Sequence, residues 1–140
     1  MSQRERILFV VLNFNGWRET IPCVAAILKQ SYQSFDIFLV ENGSKDESLD
    51  KLKQFENNDR VIYAKNTDNL GFAGGVNMGI RYALEHNYSH VVLLNNDAVI
   101  SSSWLESLLG AMKHMRADVV TGLLLLGNGQ KIESTGDSLS

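Results

Sequence analysis

The sequence predicts one α/β domain over residues 1–140, built on a mostly parallel sheet with helices on both faces. Short apolar runs rich in β-branched residues alternate along the chain with segments whose apolar residues recur at helical spacing. The first run, Ile7–Leu12, is continuously apolar, as expected of a strand that is covered on both faces. Repeated strand–helix alternation is typical of parallel sheets, because each helix returns the chain to the same edge.

The composition is that of a globular domain. Of the 140 residues, 44% are hydrophobic and 21% are charged, which excludes disordered and collagen-like classes. The formal net charge of -3 provides no basic surface, so we expect no nucleic-acid partner. A lone cysteine, Cys23, excludes an internal disulfide and favours a reduced, cytoplasmic setting.

A helix is predicted after the first strand, because Ile21, Val24 and Leu28 recur at helical spacing. Pro22 is expected in its first turn, where a missing backbone N–H costs no hydrogen bond. A second strand follows at Phe35–Val40. The order strand, helix, strand makes one βαβ unit.

Two further helices are predicted from capping-box spacing. Ser44 and Glu47 predict the start of one, and Ser103 and Glu106 predict the start of the other. The inward-facing residues of the first are expected to be Leu49, Leu52 and Phe55. A third strand, at 61–64, lies between the first of these helices and a glycine-rich segment.

The glycine-rich segment leads into a helix whose inward-facing residues are expected to be Val76, Ile80, Ala83 and Leu84. A fourth strand follows at Val91–Leu94, and a fifth is predicted at Val119–Leu126. The turn signal at 127–129 predicts that Gln130–Ser134 folds back as a hairpin.

Polar clusters follow three of the predicted strands. Asn13 and Asn15 come after the first strand, residues 41–46 after the second, and residues 95–97 after the fourth. A buried strand needs no polar residues at its end in order to fold. Because ligands of such sheets bind beyond the carboxyl ends of the strands, these clusters predict a binding site at that edge.

Asp97 is the strongest candidate for a metal ligand, since it follows an apolar strand and two asparagines. Carboxylate and amide oxygens suit Mg²⁺ or Mn²⁺, which take one or two carboxylates together with phosphate oxygens. The alternative interpretation is a turn or helix cap, because Asp and Asn at strand ends often bond nearby backbone.

Glu41 and Asp46 flank the loop after the second strand. A carboxylate at this place in a nucleotide-binding sheet commonly accepts hydrogen bonds from a nucleoside. For Asp46, a role at the helix N-terminus is an alternative, because an acidic group is stabilised there.

The segment from Asn69 to Gly79 could bring backbone N–H groups close to a ligand at the start of a helix. It matches neither the dinucleotide-binding pattern nor the phosphate-loop pattern. A plain tight loop is the alternative interpretation.

Four segments together resemble the inverting glycosyltransferases of family 2 with the GT-A fold, in the form of rhamnosyltransferase-like members. The segment Val40–Ser48 resembles the signature V-D-N-x-S-x-D-x-S, and Asn69–Gly79 is similar to N-x-G-F-x-x-G-x-N-x-G. Val10–Gly16 resembles the family's first strand, and Leu93–Asp97 resembles its D-x-D-type metal motif. The sequence departs from the pattern at Glu41, where the family usually has Asp, and at Asn95, which takes the first acidic position of the metal motif.

The resemblance implies transfer of a sugar from a UDP- or dTDP-sugar to a glycan or glycolipid acceptor, with inversion, as in the synthesis of cell-surface polysaccharide. Asp97 would bind Mg²⁺ or Mn²⁺. The donor site would comprise Asn13, Asn15, Glu41, Asp46, Gly71, Asn77 and Asn95.

The resemblance also implies a general base in the later half of the enzyme. We therefore expect an N-terminal donor-binding part with a truncated sheet, inactive alone, and self-association through apolar surface at 123–126. The expected location is the cytoplasm, with peripheral attachment at the inner membrane face as an option for the full-length protein.

Three other functions stay open. The first is a non-catalytic nucleotide-binding domain of the same architecture, and the second is a purely structural domain. The third, a Rossmann-type dehydrogenase, would need a glycine fingerprint after the first strand, where only Gly16 is present.

Overall fold

The computed structural model describes residues 4–125 and 132–134. Its main sheet has four strands in the order β3-β2-β1-β4, and every neighbouring pair is parallel. The strands are β1 (Ile7–Asn13), β2 (Phe35–Asn42), β3 (Val61–Asn66) and β4 (His90–Asn95). The α-helices are α1 (Trp17–Leu28), α2 (Ser48–Lys51), α3 (Gly71–Glu85) and α4 (Trp104–Met115), and a 3₁₀-helix at Leu52–Phe55 directly follows α2.

Helices cover both faces of this sheet, which confirms the predicted fold class. On one face, apolar residues of α1, α4 and the 3₁₀-helix form a single buried cluster around Phe9. On the other face, α3 packs on Val10 and Val40. The approach of α3 is close, because a Cβ at Gly79 would lie only 2.5 Å from Cγ2 of Val10.

The strand order reverses at β1. The chain adds β2 and then β3 on one side of β1 and places β4 on the other side. In open sheets of this kind the crevice beyond the carboxyl ends of the strands at such a reversal is where ligands bind. The fold therefore predicts a binding site at the carboxyl ends of β1 and of its neighbours β2 and β4. Among the helices that the structure describes, none has the length and apolar character needed to cross a membrane.

Pro22 does not lie in the first turn of α1, contrary to the sequence-based expectation. The helix begins at Trp17, so Pro22 is its sixth residue. Thr20 already donates its backbone N–H to the carbonyl of Gly16, at 3.0 Å. The helix thus lacks one backbone hydrogen bond at Pro22. It tolerates the proline there because its apolar residues pack on the sheet.

Neither predicted capping box forms. The N-cap residues of α2 and α4, Glu47 and Ser103, make no side-chain capping hydrogen bond. The carboxylate of Glu106 instead accepts a hydrogen bond from the hydroxyl of Ser31, at 2.8 Å. Ser44 lies ahead of α2 and bonds to the end of β1, as described below. In both boxes a tertiary partner has displaced the local one.

Two leucines that were expected inside lie outside. Leu84 is 76% exposed, because α3 turns its small residues Gly75, Gly79 and Ala83 to the sheet. Leu49 is 44% exposed, because α2 ends after one turn and the 3₁₀-helix that follows changes the helical spacing. Periodicity found the helices and most of their inward-facing residues, since Val76, Ala83, Leu52 and Phe55 are buried, but it was wrong for these two leucines.

The fifth strand is much shorter than predicted and does not join the parallel sheet. Strand β5 is Leu124–Leu125 and pairs in antiparallel fashion with β6 (Ile132–Ser134), so the predicted hairpin pairing is confirmed. Residues 119–123 form no strand, because Gly122 packs closely on the indole of Trp104 rather than beside β4. The predicted turn at 127–129, and Leu126, lie outside the described residues.

Candidate functional site

The carboxyl ends of the strands bring the predicted polar clusters to one edge. In the strand register Asn13 lies opposite Glu41, Leu12 lies opposite Asn95, and Asn42 lies opposite Asn66. The parallel arrangement alone produces this proximity, as the sequence predicted.

Ser44 joins the end of β1 to the loop after β2. Its Oγ accepts hydrogen bonds from the backbone N–H of Asn15, at 2.9 Å, and from Nδ2 of Asn13, at 3.3 Å. Asn13 is fully buried, and its Oδ1 accepts a hydrogen bond from the Thr20 hydroxyl at 2.7 Å. The Asn13 amide therefore fixes the positions of β1, α1 and the Ser44 loop relative to one another.

Asn15 holds the same loop from the β1 side. It adopts a left-handed backbone conformation, with φ 51°, which Asn tolerates better than most residues. Its Oδ1 accepts the backbone N–H groups of Lys45, at 2.8 Å, and Asp46, at 3.3 Å. Asp46 is exposed, and its Oδ1 accepts the N–H of Ser48 at 2.9 Å, at the start of α2. This contact is the helix-start role that the sequence left as an alternative for Asp46.

Glu41 lies beneath this loop with only 2% of its surface exposed. Its Oε1 accepts the backbone N–H of Ser44, at 3.0 Å. The neighbouring Tyr63 has a raised pKa, first because the phenol is buried and then because the charges of Glu41 and Glu56 oppose its ionisation. The Tyr63 hydroxyl is buried without a hydrogen-bond partner among residues 4–125. The charge of Glu41 thus acts on a phenol whose hydroxyl is shielded from water.

Asn42 fixes the start of α3. It is 1% exposed, and its Nδ2 donates to Oδ1 of Asn69, at 2.9 Å, and to the carbonyl of Gly71, at 3.3 Å. Its Oδ1 accepts from Nδ2 of Asn66, at 3.0 Å, and from the N–H of Leu70, at 3.2 Å. One side chain therefore joins the ends of β2 and β3 to the loop that begins α3.

Helix α3 presents its N-terminus at this edge. Gly71 has φ 74°, which favours glycine, and no atom lies within 4 Å of the position a Cβ would take. Asn77 is exposed on the same helix and makes no hydrogen bond through its side chain to any part of the chain described. The first-turn N–H groups of a helix carry partial positive charge and attract anions.

A cleft of about 210 Å³ lies between α3 and the exposed face of β4. Its lining residues include Leu12, Phe14, Phe72, Leu93 and Asn95. The walls of the cleft are mostly apolar, and Asn95 lies at its polar end.

The two polar residues directly after β4, Asn96 and Asp97, have different surroundings. Asn96 turns inward, because its Nδ2 donates to the Thr20 hydroxyl at 3.0 Å. Asp97 is exposed and makes no hydrogen bond or ion pair through its carboxylate within the described ranges. Burial, and after it the negative charge of Asp97, raise the pKa of the Cys23 thiol to about 12.

The donor set for a metal is small. Among the residues that the structure describes, no three His, Cys, Asp or Glu side chains gather around one point. Asp97 therefore offers a single carboxylate, and the amide oxygen of nearby Asn95 is the other hard oxygen ligand. This set fits Mg²⁺ or Mn²⁺ held mainly by phosphate and water, which needs only one or two carboxylates.

Sequence analysis missed two residues of this edge. Ser44 and Asn42 lie in the predicted cluster 41–46, but Ser44 was given only the role of a helix cap and Asn42 no role, yet both are at the centre of the hydrogen bonding described above. The signal that could have found them is the signature itself, because Asn42 and Ser44 occupy its N and S positions. Hydrophobic periodicity carries no information on such residues.

A parallel sheet with helices on both faces and polar side chains gathered beyond its point of reversal is the architecture of nucleotide-binding α/β domains. The sequence matches Glycosyl transferase family 2 over residues 8–137, so the chain belongs to this family.

Curated relatives are longer than this chain. Glycosyltransferase GlyG of Streptococcus pneumoniae serotype 4 is 33% identical over 121 residues, which are 84% of this chain and 38% of GlyG. Poly-beta-1,6-N-acetyl-D-glucosamine synthase of Staphylococcus aureus (strain COL) is 23% identical over 123 residues, 87% of this chain and 29% of the synthase. The chain thus spans about a third of the length of these relatives.

Solved structures confirm the GT-A fold. The mannosyltransferase PcManGT from Pyrobaculum calidifontis, in complex with GDP-Man and Mn²⁺, has a TM-score of 0.68 at 19% identity, covering 85% of this chain and 34% of that one. S. aureus TarS in complex with UDP-GlcNAc has a TM-score of 0.66 at 15% identity, covering 79% of this chain and 32% of that one.

Proposed function

We propose that this chain binds a nucleotide-diphosphate sugar at the carboxyl edge of its sheet, as the donor-binding part of a glycosyltransferase. The observation that carries the proposal is the position of Asp97 and Asn95 beside the end of β1, the strand at which the sheet order reverses, in a member of family 2. The nucleotide sugars in the neighbouring structures support it.

The nucleoside is assigned to the side of the edge formed by β1 and β2. Asn15, Ser44 and Glu41 lie there in one hydrogen-bonded group. The nucleoside half of a bound nucleotide commonly lies at the end of the second strand in doubly wound sheets. UDP, dTDP and GDP are the nucleotides to be tested.

The diphosphate is assigned to the side formed by β4 and the start of α3. Asp97 would hold Mg²⁺ or Mn²⁺, with the Asn95 amide oxygen beside it, and the ion would offset charge on the departing diphosphate. The backbone N–H of Gly71 is already donated to Oδ1 of Asn69, at 2.8 Å, so the N–H groups that follow Gly71 in the first turn of α3 would be offered on the same side. Asn77 lies further along the exposed surface of α3 and would contact the sugar or its phosphate.

Transfer requires a group that takes the proton of the acceptor hydroxyl. The three acids that the sequence assigned to this edge have other tasks: Asp97 would hold the metal, Glu41 is buried, and Asp46 accepts the N–H of Ser48 at the start of α2. We therefore propose that the base, and the glycan or glycolipid acceptor, belong to the remainder of the enzyme. Inversion at the anomeric carbon is part of the same proposal.

The experiment is a melting-temperature panel on the 140-residue chain with UDP, dTDP, GDP, ADP and NAD, each with and without Mn²⁺. A ligand at about a hundred times its dissociation constant stabilises the fold by about 2.7 kcal/mol. The proposal expects stabilisation by one of the first three nucleotides that depends on Mn²⁺. Stabilisation by NAD alone would favour a dehydrogenase, and no stabilisation by any nucleotide would favour a structural domain.

A further inference from the structure

We infer that the hydroxyl of Ser44 donates a hydrogen bond to an oxygen of the bound nucleoside, which makes Ser44 a specificity-determining residue. The inference rests on the proposed function, because it needs a nucleotide at this edge. The sequence predicted a helix cap at Ser44, which the structure does not contain, and gave Ser44 no contact of its own with a ligand.

The hydrogen bonds of Ser44 leave one group available. A serine hydroxyl has one hydrogen to donate and two positions that accept. Both accepting positions are taken, by the N–H of Asn15 at 2.9 Å and by Nδ2 of Asn13 at 3.3 Å. The hydroxyl hydrogen has no acceptor in the part of the chain that the structure describes. The two donors approach from the end of β1, so the tetrahedral oxygen directs its own hydrogen away from that strand end.

The orientation of this oxygen is fixed before any ligand binds. The backbone N–H of Ser44 is held by Glu41, at 3.0 Å, and its Oγ is held by β1. Ser44 is half-buried, so a bound molecule can reach it. A donor held in place in this way loses little conformational entropy on binding.

The position of Ser44 indicates the nucleoside as its partner. In doubly wound sheets the acidic group after the second strand receives a hydrogen bond from the ribose. Here that acid, Glu41, is only 2% exposed and is already bonded to the Ser44 N–H. The group offered at the end of β2 is thus a hydroxyl that donates, so its partner is an acceptor oxygen. In a nucleoside that oxygen is a ribose hydroxyl or a ring carbonyl of the base.

The test measures dissociation constants for the wild-type chain and Ser44→Ala by isothermal titration in Mn²⁺. The probe is whichever of UDP and GDP binds the wild type more tightly. Its analogues are the 2′-deoxy and 3′-deoxy forms and the forms with sulfur replacing each ring carbonyl oxygen. Ser107→Ala, which removes an exposed hydroxyl on α4, is the matched control.

We expect Ser44→Ala to weaken the parent nucleotide about 2- to 12-fold, the range of one neutral hydrogen bond. For the one analogue that lacks the accepting oxygen, wild type and variant should bind equally, and that analogue identifies the oxygen. Ser107→Ala should change no affinity. If Ser44→Ala does not fold by circular dichroism, Ser44→Cys, whose thiol is a weaker donor, is taken through the same panel.

An equal loss for every analogue would overturn the inference, because it would mean that Ser44 only shapes the loop. No loss at all would overturn it too. Either result leaves the proposed function intact, since the wild-type chain would still bind the nucleotide. If neither UDP nor GDP binds the wild type, dTDP becomes the probe. Absence of wild-type binding to all three nucleotides would instead overturn the proposed function and this inference together.

Discussion

Nδ2 of Asn42 donates to Oδ1 of Asn69 at 2.9 Å, and this contact ties the end of β2 to the loop that begins α3. Because the Asn42 amide also bonds Asn66, Leu70 and Gly71, all its strong hydrogen-bonding positions are used. The start of α3 is therefore positioned by a side chain of the sheet rather than by a helix cap.

Replacing Asn42 by Asp tests this role. Asn42→Asp removes both donated bonds and places a carboxylate against two acceptor oxygens, so we expect a loss of about 1–3 kcal/mol in the free energy of unfolding. Urea denaturation would measure it. The isosteric change Asn57→Asp, at an exposed position, should cost far less. Equal losses in the two variants would contradict the role given to Asn42.

The packing of α3 on β1 gives a second prediction. Gly79→Ala would put a Cβ 2.5 Å from Cγ2 of Val10, within the buried cluster of that face. We expect overpacking to cost about 1–3 kcal/mol in thermal or urea unfolding. Gly110→Ala on α4 is the control, because nothing lies within 4 Å of its new Cβ. It should be neutral or stabilise by up to about 1 kcal/mol, since alanine is the better helix former. Destabilisation of similar size by Gly110→Ala would show that the loss at Gly79 does not come from overpacking against Val10.

Asp97 is predicted to couple nucleotide binding to the metal. Asp97→Asn should remove about 1.5–3 kcal/mol of Mn²⁺-dependent nucleotide affinity, the range for interactions of a charged group. It should leave unfolding nearly unchanged, because the side chain is exposed. Titration calorimetry with and without Mn²⁺ measures the difference, and Asp118→Asn, also exposed, is the control. Unchanged metal dependence in Asp97→Asn would show that another group holds the ion.

The buried thiol of Cys23 predicts a pH dependence of stability. Burial and the charge of Asp97 raise its pKa from 9.0 to about 12 in the folded chain. Above pH 9 the unfolded chain loses this proton while the folded chain keeps it, so stability falls as pH rises. Between pH 8 and pH 10 the loss from this group amounts to about 1.4 kcal/mol. The wild type should therefore lose that much more than Cys23→Ala in urea denaturation at the two pH values. Parallel losses in the two chains would mean that the folded thiol has an ordinary pKa.

The sequence predicted correctly those parts of the fold that depend on hydrophobic periodicity. The four parallel strands follow from apolar runs, and the convergence of Asn13, Glu41 and Asn95 follows from the parallel arrangement itself. The predictions were wrong where a side chain bonds to a residue distant in the sequence instead of a nearby one. Ser44 was predicted to cap the helix that follows it, but it bonds to Asn15, which lies 29 residues away. Val119 was given to a strand, but it is 86% exposed and no neighbouring strand pairs with it in the described part of the chain.

The last prediction is that the 140-residue chain binds donor but does not transfer its sugar. Of the three acids that the sequence assigned to this edge, Asp97 is proposed to hold the metal, Glu41 accepts the N–H of Ser44, and Asp46 accepts the N–H of Ser48 at the start of α2. A general base must lie within about 2.6–3.2 Å of the proton it takes, or be joined to it through one water, so a distant carboxylate cannot serve. Incubation with labelled UDP- and GDP-sugars, Mn²⁺ and a panel of glycan acceptors should therefore yield no acceptor-dependent product above slow donor hydrolysis, while calorimetry on the same sample shows the donor bound. Acceptor-dependent turnover would place the base within residues 1–140. Glu133 and Asp137 would then be the first residues to change to their amides, with Glu85, exposed at the end of α3, as the control.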